Sequence, residues 1–265
     1  MSHIAPRRPV ALVVALLATC ASALGWSEQG HRIVALAAEE YLSDNAKRRV
    51  GYLLGADVRL VDVATWANEI VRERPETEAW HSITIPKGAE NVDLARDCPV
   101  GDCITVKVRD CIGIVRLAIR PKAESQEAFK MLVNLAGDLH QPLLSGFPPG
   151  DSKDDRAVVL DGNEMTLHEA WERGLLASLG SEEDVLQRVR QHVLSADTET
   201  WTRGTLRDWT WENHQIAASK IYPAVGAEDR TVLDGEALDA ATQIVIERLA
   251  KSAVRLAALL DDVWP

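Results

Sequence analysis

Cysteine, phenylalanine and tyrosine are scarce in this chain of 265 residues, which has four cysteines, two phenylalanines and three tyrosines. Three of the four cysteines follow residue 25, which argues against a metal site built from cysteines, because structural sites of that kind use up to four. Segments typical of strands are also few. "WHSITIP" reads as a short extended piece, and "AVVLDGNEM" predicts a small hairpin about Asp161 and Gly162.

Positive charge is in short supply. The chain has 29 basic and 40 acidic residues, and its first 25 residues contain two arginines and no acid. Without those 25 residues the net charge is −13. A surface of this charge does not attract a polyanion as a whole, which argues against a passive nucleic-acid-binding module. If the substrate is a phosphate ester, the positive charge has to be local, from metal ions or a few arginines.

Long apolar runs are absent after the first 25 residues, where no segment reaches the roughly 18 apolar residues of a membrane span. At the start, Arg7 and Arg8 precede the apolar run Val10–Ala18 and the small residues of "ASALG". This order predicts a signal peptide, residues 1–25, that is removed in front of Trp26. An uncleaved anchor and a lipoprotein processed at Cys20 are the alternatives.

Three cysteines remain after that cleavage. An exported protein meets an oxidising compartment, so one disulfide is expected. Cys98 and Cys103 could close a short loop and leave Cys111 unpaired, or Cys103 could pair with Cys111.

The hydrophobic period is helical almost throughout residues 26–265. Two stripes mark the first helices, and five later segments continue the pattern: Ile33, Leu36, Ala37 and Tyr41; Val63, Trp66, Ala67 and Ile70; a helix from about Gln126 into "MLVNLAGDLHQPLLSG"; Thr166 to Leu179; "SEEDVLQRVRQHVL", with Ser181 and Asp184 as a capping box; "DWTWENHQIAASKIY"; and "EALDAATQIVIERLAKSAVRLAALLDDV". The acid-rich segment 148–156 is expected to be an exposed loop. These signals predict an all-α single domain of seven or eight helices, with at most a small β-hairpin.

Spacing singles out a few of the six histidines that follow residue 25. His168 and Glu172 are four residues apart, where an imidazole and a carboxylate share a helix face and can bind one divalent ion. Asn134 and Asp138 have the same spacing in an apolar helix. His31 lies five residues after Trp26, whose free α-amine and carbonyl could bind the same ion. An ordinary surface pair or a satisfied core histidine is the competing interpretation for each.

Five motifs occur in order and in register along the chain: "WSEQGHRIVALAAEEYL", "VATWANEI", "WHSITIP", "LAGDLHQPL" and "LHEAWE". Together they resemble the S1/P1 nucleases, secreted zinc-dependent enzymes related in fold to bacterial zinc phospholipase C. The resemblance extends through "DWTWENHQIAASKIYP" to the C-terminal helix, and so covers essentially all of residues 26–265. It implies a helical bundle that holds three zinc ions and hydrolyses single-stranded DNA, RNA and nucleotides.

The resemblance also implies a set of metal ligands. These are Trp26, His31, His81, Asp138, His168 and Glu172, with Asp138 bridging two ions and no catalytic residue beyond the metal-bound water. Three positions depart from the family pattern: Asn68 stands where the family has an aspartate, and Asn134 and Leu144 where it has histidines. Leucine cannot bind a metal, and an amide binds zinc less well than imidazole does. His140 is a possible substitute.

The function that follows is an exported zinc-dependent phosphodiesterase or endonuclease, with one to three zinc ions and reduced activity. Its expected substrates are single-stranded DNA or RNA or nucleotides. After signal cleavage it is expected to be a monomer without membrane association, in the periplasm or outside the cell. The alternatives are a silent member of the fold that binds a ligand or a single metal, and a related phosphoesterase with another substrate.

Overall fold

The computed structural model describes residues 24–117, 121–226 and 230–264. The predicted signal peptide, apart from Leu24 and Gly25, lies outside them. Helices dominate this part of the chain, and the α-helices in order are α1 Glu28–Tyr41, α2 Asp44–Leu54, α3 Trp66–Ile70, α4 Leu94–Asp97, α5 Ile104–Arg116, α6 Lys122–Asp138, α7 Leu167–Glu169, α8 Leu175–Ser178, α9 Glu182–Leu194, α10 Thr198–Thr202, α11 Leu206–Ile216, α12 Tyr222–Ala224 and α13 Gly235–Val263. Seven of them have eleven residues or more. The all-α fold class is confirmed, with short helical turns added to the expected seven or eight helices.

Some helical stretches are tighter or wider than α-helix. Three 3₁₀ turns cover Leu60–Asp62, Pro75–His81 and Pro142–Ser145. Two π-helical segments interrupt the later helices, Ala170–Gly174 between α7 and α8 and Ala217–Ile221 between α11 and α12. Such π segments often occur at functional sites.

The predicted apolar stripes form much of the core. In α1, Ile33 and Ala37 are fully buried, whereas Tyr41 is 36% exposed. In the second stripe, Val63 and Ala67 are buried, and Trp66 packs against the core from its edge. The long α13 packs against α1, α9 and α6 and closes the bundle.

Helix α6 lies at the centre of the fold. It begins after Pro121, a residue that suits a helix start, and it ends at Asp138, four residues before Pro142. Its last turns, from Met131 to Asp138, are buried throughout. The polar side chains of Asn134 and Asp138 are therefore inside the core, where each needs a partner.

A small sheet stands at one side of the bundle. Strands β1 Ala157–Leu160 and β2 Asn163–Thr166 form the predicted hairpin, which turns at Asp161 and Gly162. A third strand, β3 Arg230–Leu233, pairs with β1 in parallel. The sheet thus exceeds the predicted hairpin by one strand.

The extended segment after His81 determines where that histidine lies. Ile83 N donates to Leu144 O at 2.8 Å, and Ile85 N donates to Gly146 O at 3.0 Å. Residues 82–86 of "WHSITIP" are therefore extended, as predicted, and pair with the turn that follows α6, whereas Trp80 and His81 end the 3₁₀ stretch Pro75–His81. This pairing brings His81 beside the end of α6.

Two further sequence predictions are resolved. Cys98 and Cys103 form the disulfide, and Cys111 is free and buried. Ser181 and Asp184 form the predicted capping box at the start of α9.

Within the described ranges, none of the helices has the length and apolar character needed to cross a bilayer.

Candidate metal centre

The carboxylate of Asp138 is the centre of the candidate site, and it is fully buried at the end of α6. His81 Nδ1 lies 2.8 Å from Asp138 Oδ2, and His31 Nε2 lies 3.2 Å from Asp138 Oδ1. The contact with His31 is close but does not have the geometry of a hydrogen bond, and Nε2 of His31 has no other partner among the described residues. Burial acts to raise the pKa of Asp138, but the two imidazoles outweigh it and hold that pKa below its ordinary value.

Trp26 closes the site on the side of the N-terminus. Its backbone N lies 3.3 Å from Asp138 Oδ1, and its indole Nε1 donates to Gly137 O at 3.1 Å. The ring is 1% exposed, so the start of the predicted mature chain is anchored in the core. The predicted α-amine position and the Asp138 carboxylate are thus in contact.

Two glycines allow this close packing. A Cβ on Gly137 would lie 2.9 Å from His31 Nδ1, so any side chain there would displace the imidazole. A Cβ on Gly25 would lie 1.8 Å from Asp138 Oδ1, and φ of Gly25 is +105°, which favours glycine. Gly25 therefore lies directly against the carboxylate.

Asn134 borders the site, and Asn68, the other asparagine expected at a ligand position, lies in α3, which packs against α6. Asn134 Nδ2 donates to Ala64 O at 2.8 Å and lies 3.4 Å from His31 Nδ1. Asn134 Oδ1 and Asn68 Oδ1 are buried atoms without a hydrogen-bond partner among the described residues. Both amides keep an oxygen donor available, without the charge or the imidazole expected there from the resemblance.

The third pair, His168 and Glu172, lies where the helix widens. Glu172 is in the π segment Ala170–Gly174, so the regular helix face expected for the pair is interrupted. Ser27 N donates to Glu172 O at 3.0 Å, which ties this segment to the N-terminus. Burial raises the pKa of Glu172 against the opposing effect of His168 and Arg173.

Leu144, at the remaining position where the resemblance leads us to expect a ligand, is 5% exposed. Its Cδ1 would be 3.0 Å from a Cβ on Gly25, so the side chain lies beside Asp138. An apolar group thus fills a place from which a histidine could have reached the site.

Sequence reasoning missed Asp154 and Tyr222. The Tyr222 hydroxyl donates to Asp154 Oδ1 at 3.0 Å, and His168 N donates to Asp154 O at 3.0 Å. Burial raises the pKa of Asp154, while hydrogen bonds from Ser152 and Tyr222 and the nearby His168 act against it. The loop of residues 148–156 was expected to be exposed, but Ser152, Lys153 and Asp154 are partly buried, and Lys153 Nζ donates to Tyr222 O at 2.7 Å. The acid-rich composition of the loop was the available signal.

His140 points away from Asp138. Its Nδ1 lies 2.8 Å from Ala136 O, and its Nε2 lies 3.1 Å from Arg255 Nη1. Burial, and then the charge of Arg255, hold the pKa of His140 well below its ordinary value. Both ring nitrogens are engaged, so His140 is not available as a substitute ligand in this arrangement.

Buried ligand atoms without a hydrogen-bond partner indicate whether these residues suit a bound metal ion. Nε2 of His31, His81 and His168 is in each case buried and without a hydrogen-bond partner. Buried polar atoms of this kind are few in native proteins, and each costs about 1–3 kcal/mol unless something else binds it. All three histidines expected to bind metal have such an atom, which fits a metal site. Over the described ranges, however, no three His, Cys, Asp or Glu side chains converge closely enough to hold an ion by themselves.

The family described as S1/P1 Nuclease matches residues 26–264, and it comprises hydrolases that act on phosphodiester bonds. The chain therefore belongs to the S1/P1 nuclease family.

Individual relatives agree with this assignment. Nuclease S1 of Aspergillus oryzae is 26% identical over 96% of this chain and 97% of its own length. Endonuclease 3 of Arabidopsis thaliana is 27% identical over 91% of this chain and 90% of its own length. Nuclease P1 of Penicillium citrinum is 27% identical over 73% of this chain and 70% of its own length.

Proposed function

We propose that the mature chain is an exported, zinc-dependent nuclease that hydrolyses single-stranded DNA, RNA or nucleotides. The observation that carries the proposal is the buried carboxylate of Asp138, in contact with Trp26 N, His31 and His81, together with the unpartnered Nε2 atoms of His81 and His168. The similarity to nuclease S1, nuclease P1 and plant endonucleases supports the same activity.

Trp26, His31 and Asp138 would hold one ion, through the α-amine and carbonyl of Trp26, the imidazole of His31 and one oxygen of Asp138. His81 and the other oxygen of Asp138 would hold a second, with Asn68 and Asn134 as weaker oxygen donors. His168 and Glu172 would hold a third, for which Leu144 supplies nothing. Zinc at these positions supplies a Lewis acid, which lowers the pKa of a water molecule and stabilises charge on the phosphate.

The protein's own groups limit the expected rate. The Oδ1 atom of Asn68 can accept a hydrogen bond from a water molecule and orient it, but an amide cannot take up the proton as the family's aspartate can. Each lost electrostatic contact of this kind costs roughly 2.7–4 kcal/mol of transition-state stabilisation. We therefore expect slower hydrolysis than a member with the full ligand set.

The predicted signal peptide, residues 1–25, supports the export in this proposal. A free α-amine on Trp26 requires that Gly25 be removed, and Gly25 lies against the carboxylate that would hold the ion. The disulfide between Cys98 and Cys103 is consistent with an oxidising compartment.

Elemental analysis of the purified mature protein, run beside a single-stranded DNA hydrolysis assay, tests the proposal. Bound zinc, and hydrolysis that a chelator abolishes, would support it. Protein without zinc and without hydrolysis, even when zinc is added, would establish the silent alternative that Leu144 favours. Hydrolysis of other phosphate esters but not of nucleic acid would establish the related phosphoesterase.

A restoring variant tests the residue assignments. Asn68→Asp, Asn134→His and Leu144→His together should raise both the zinc content and the rate of hydrolysis, because they replace two weak donors and one apolar group by family ligands. Leu143→His, at the neighbouring buried position, serves as a control for adding an imidazole beside the site. A folded triple variant that gains neither metal nor activity would show that the assignments are wrong.

A further inference from the structure

A cavity of about 390 Å³ lies between α13 and the two π-helical segments, and we call it the α13 cavity. Trp171 of the segment Ala170–Gly174 and Ile221 of the segment Ala217–Ile221 both line it. Small-molecule sites commonly have about 300–1,000 Å³, and widened helices often occur at functional sites. None of the expected metal ligands lines this cavity, so it is a site separate from the candidate metal centre.

The space exists because α13 faces it with small side chains. Ala237, Ala240 and Ala241 line the cavity, and Ile244 follows one turn later. These positions are three and four apart, so they share one face of the helix. Apolar side chains of other elements, all buried, complete the inner wall: Leu167, Trp171, Ile221, Val225 and Leu233. The wall is thus mostly apolar, and burying an alkyl group against it is favourable.

Lys220 supplies a free positive charge where the α13 cavity meets solvent. It lines the cavity, is exposed, and forms no ion pair with any carboxylate of the described residues. Glu247 lines the cavity too, but its charge is balanced, because it is paired with Arg248 at 2.7 Å and with Lys251 at 3.0 Å. The wall therefore attracts an anion and not a cation.

A buried cluster of charged groups, to which Glu247 belongs, adds to the positive charge. It contains three cations and two carboxylates, and so has one positive charge in excess: Arg248, Lys251, Arg255, Glu212 and Glu247. Arg248 is fully buried, and its Nε and Nη1 atoms have no hydrogen-bond partner among the described residues. Side chains of a helix lean toward the preceding turn, so Arg248 leans toward Ile244 on the cavity wall. Buried donors of this kind favour a hydrogen-bond acceptor nearby.

We propose that the α13 cavity binds a small amphipathic anion, with an alkyl body against the apolar wall and a carboxylate beside Lys220. A medium-chain fatty acid has this chemistry. A nucleotide does not suit the cavity, because the apolar wall would leave its many polar groups without partners. The inference goes beyond the proposed nuclease function, since it needs neither the metal ions nor their ligands.

Titration calorimetry with octanoate tests the site, with octanol and octylammonium as probes of the same chain length. Octanoate should bind most tightly, because its head group alone is attracted by Lys220 and by the excess charge of the buried cluster. Octanol should bind more weakly, and octylammonium more weakly still. Octanol or octylammonium that binds as tightly as octanoate would overturn the assignment of an anionic head group.

Two variants test the position of the ligand. Ala240→Phe fills the cavity from an exposed helix position, and it should weaken octanoate and octanol alike by about tenfold or more, because methylene groups lose their place against the wall. Lys220→Gln should weaken octanoate by about twofold to fivefold, the effect of one exposed ion pair, and leave octanol unchanged. Ala95→Phe in α4 and Lys47→Gln in α2 change exposed residues that do not line the cavity, and as controls they should alter neither affinity.

Removal of metal separates this inference from the proposed function. Octanoate should bind equally to zinc-loaded protein and to protein treated with a chelator, whereas hydrolysis of single-stranded DNA should require zinc. Protein that hydrolyses DNA but does not bind octanoate, or that binds it unchanged after Ala240→Phe, would overturn the ligand site and leave the nuclease in place. Protein that binds octanoate in the α13 cavity without hydrolysing DNA would overturn the nuclease proposal alone.

Discussion

Asp138 keeps a negative charge in a place from which water is excluded. A buried carboxylate is costly unless groups around it stabilise the charge, and here His31, His81 and the backbone N of Trp26 do so. The same carboxylate is the expected ligand of two ions. Its structural and chemical roles therefore depend on the same neighbours.

We expect Asp138→Asn to reduce bound zinc and to lower the rate of single-stranded DNA hydrolysis by about 100-fold or more, because a neutral amide loses the charge that holds the ions. Elemental analysis and the hydrolysis assay measure the two effects. Asp161→Asn, in the exposed hairpin turn, is the matched control and should change neither. A variant that keeps its zinc would contradict the role of Asp138 as a ligand.

His140, two residues further on, belongs to a different network. Arg255, which donates to it, also pairs with Glu212 at 2.8 Å, and Glu212 is a partner of the fully buried Arg248 at 2.9 Å. These contacts hold α11, α13 and the end of α6 together. His140 is therefore a structural residue of the bundle.

Because the pKa of His140 lies well below its ordinary value of 6.5, the unfolded chain binds a proton there that the folded protein does not. The stability that depends on neutral His140 is complete above about pH 6.5 and is lost as the pH falls below that value, by up to about 1.4 kcal/mol per pH unit. We expect His140→Asn to make the fall in unfolding free energy between about pH 7 and pH 5 shallower by this amount. Urea unfolding across this range measures it.

His140→Asn should also leave the zinc content unchanged, because both ring nitrogens already have partners inside the bundle. His192→Asn, a change at a histidine that lies beside Trp201, serves as the comparison. Loss of a zinc ion from the His140 variant alone would show that this residue is a ligand after all.

At the scale of elements, the structure shows which signals in the sequence were sufficient. The apolar period predicted the helices because α1, α6 and α13 each bury one stripe or more, and the capping box of α9 was readable because it is local. Strand β3 was missed because its parallel pairing with β1 depends on residues far away in sequence. The π segment that contains Glu172 was missed for a similar reason, since packing and not composition decides where a helix widens.

In the candidate site, too, local sequence patterns were readable and contacts between distant segments were not. The ligand positions were predicted from motifs, whereas the partners of each atom were not. Sequence could not decide between the two cysteine pairings, because the choice depends on the distance between chain segments after folding. It could not show that both nitrogens of His140 are engaged, or that Asp154 turns toward His168, since both facts depend on neighbours brought in from other helices.

The capping box of Ser181 and Asp184 stabilises the start of α9. Ser181 Oγ accepts a hydrogen bond from Asp184 N at 3.2 Å, and this helix packs on α1 and α13. We expect Ser181→Ala to lower the free energy of unfolding by about 0.5–2 kcal/mol, as loss of an N-cap generally does. Ser195→Ala, just past the other end of the same helix, is the control and should cost less. Thermal or urea unfolding compares the two.

In the whole molecule, the predicted N-terminus at Trp26 completes the candidate site. The start of the predicted mature chain reaches the end of α6 and the π segment after α7, and its α-amine is expected to be a ligand. Such a site depends on where the chain begins as much as on its side chains.

We therefore expect a chain that keeps Gly25 before Trp26 to bind zinc more weakly than one that begins at Trp26. The added residue turns the amine into an amide and fills the space beside Asp138 Oδ1. Isothermal titration with zinc compares the two chains, and addition of one residue at the C-terminus is the control for length. Equal affinities would refute the α-amine as a ligand.

The bond between Gly25 and Trp26 has a consequence for the timing of activation. Both residues are buried in the fold, so a peptidase can reach that bond only while the chain is still open. The predicted cleavage must then come before folding. We expect a precursor that folds early to keep glycine against Asp138 and to lack the α-amine ligand, so that the proposed nuclease activity would begin only after this bond has been cut.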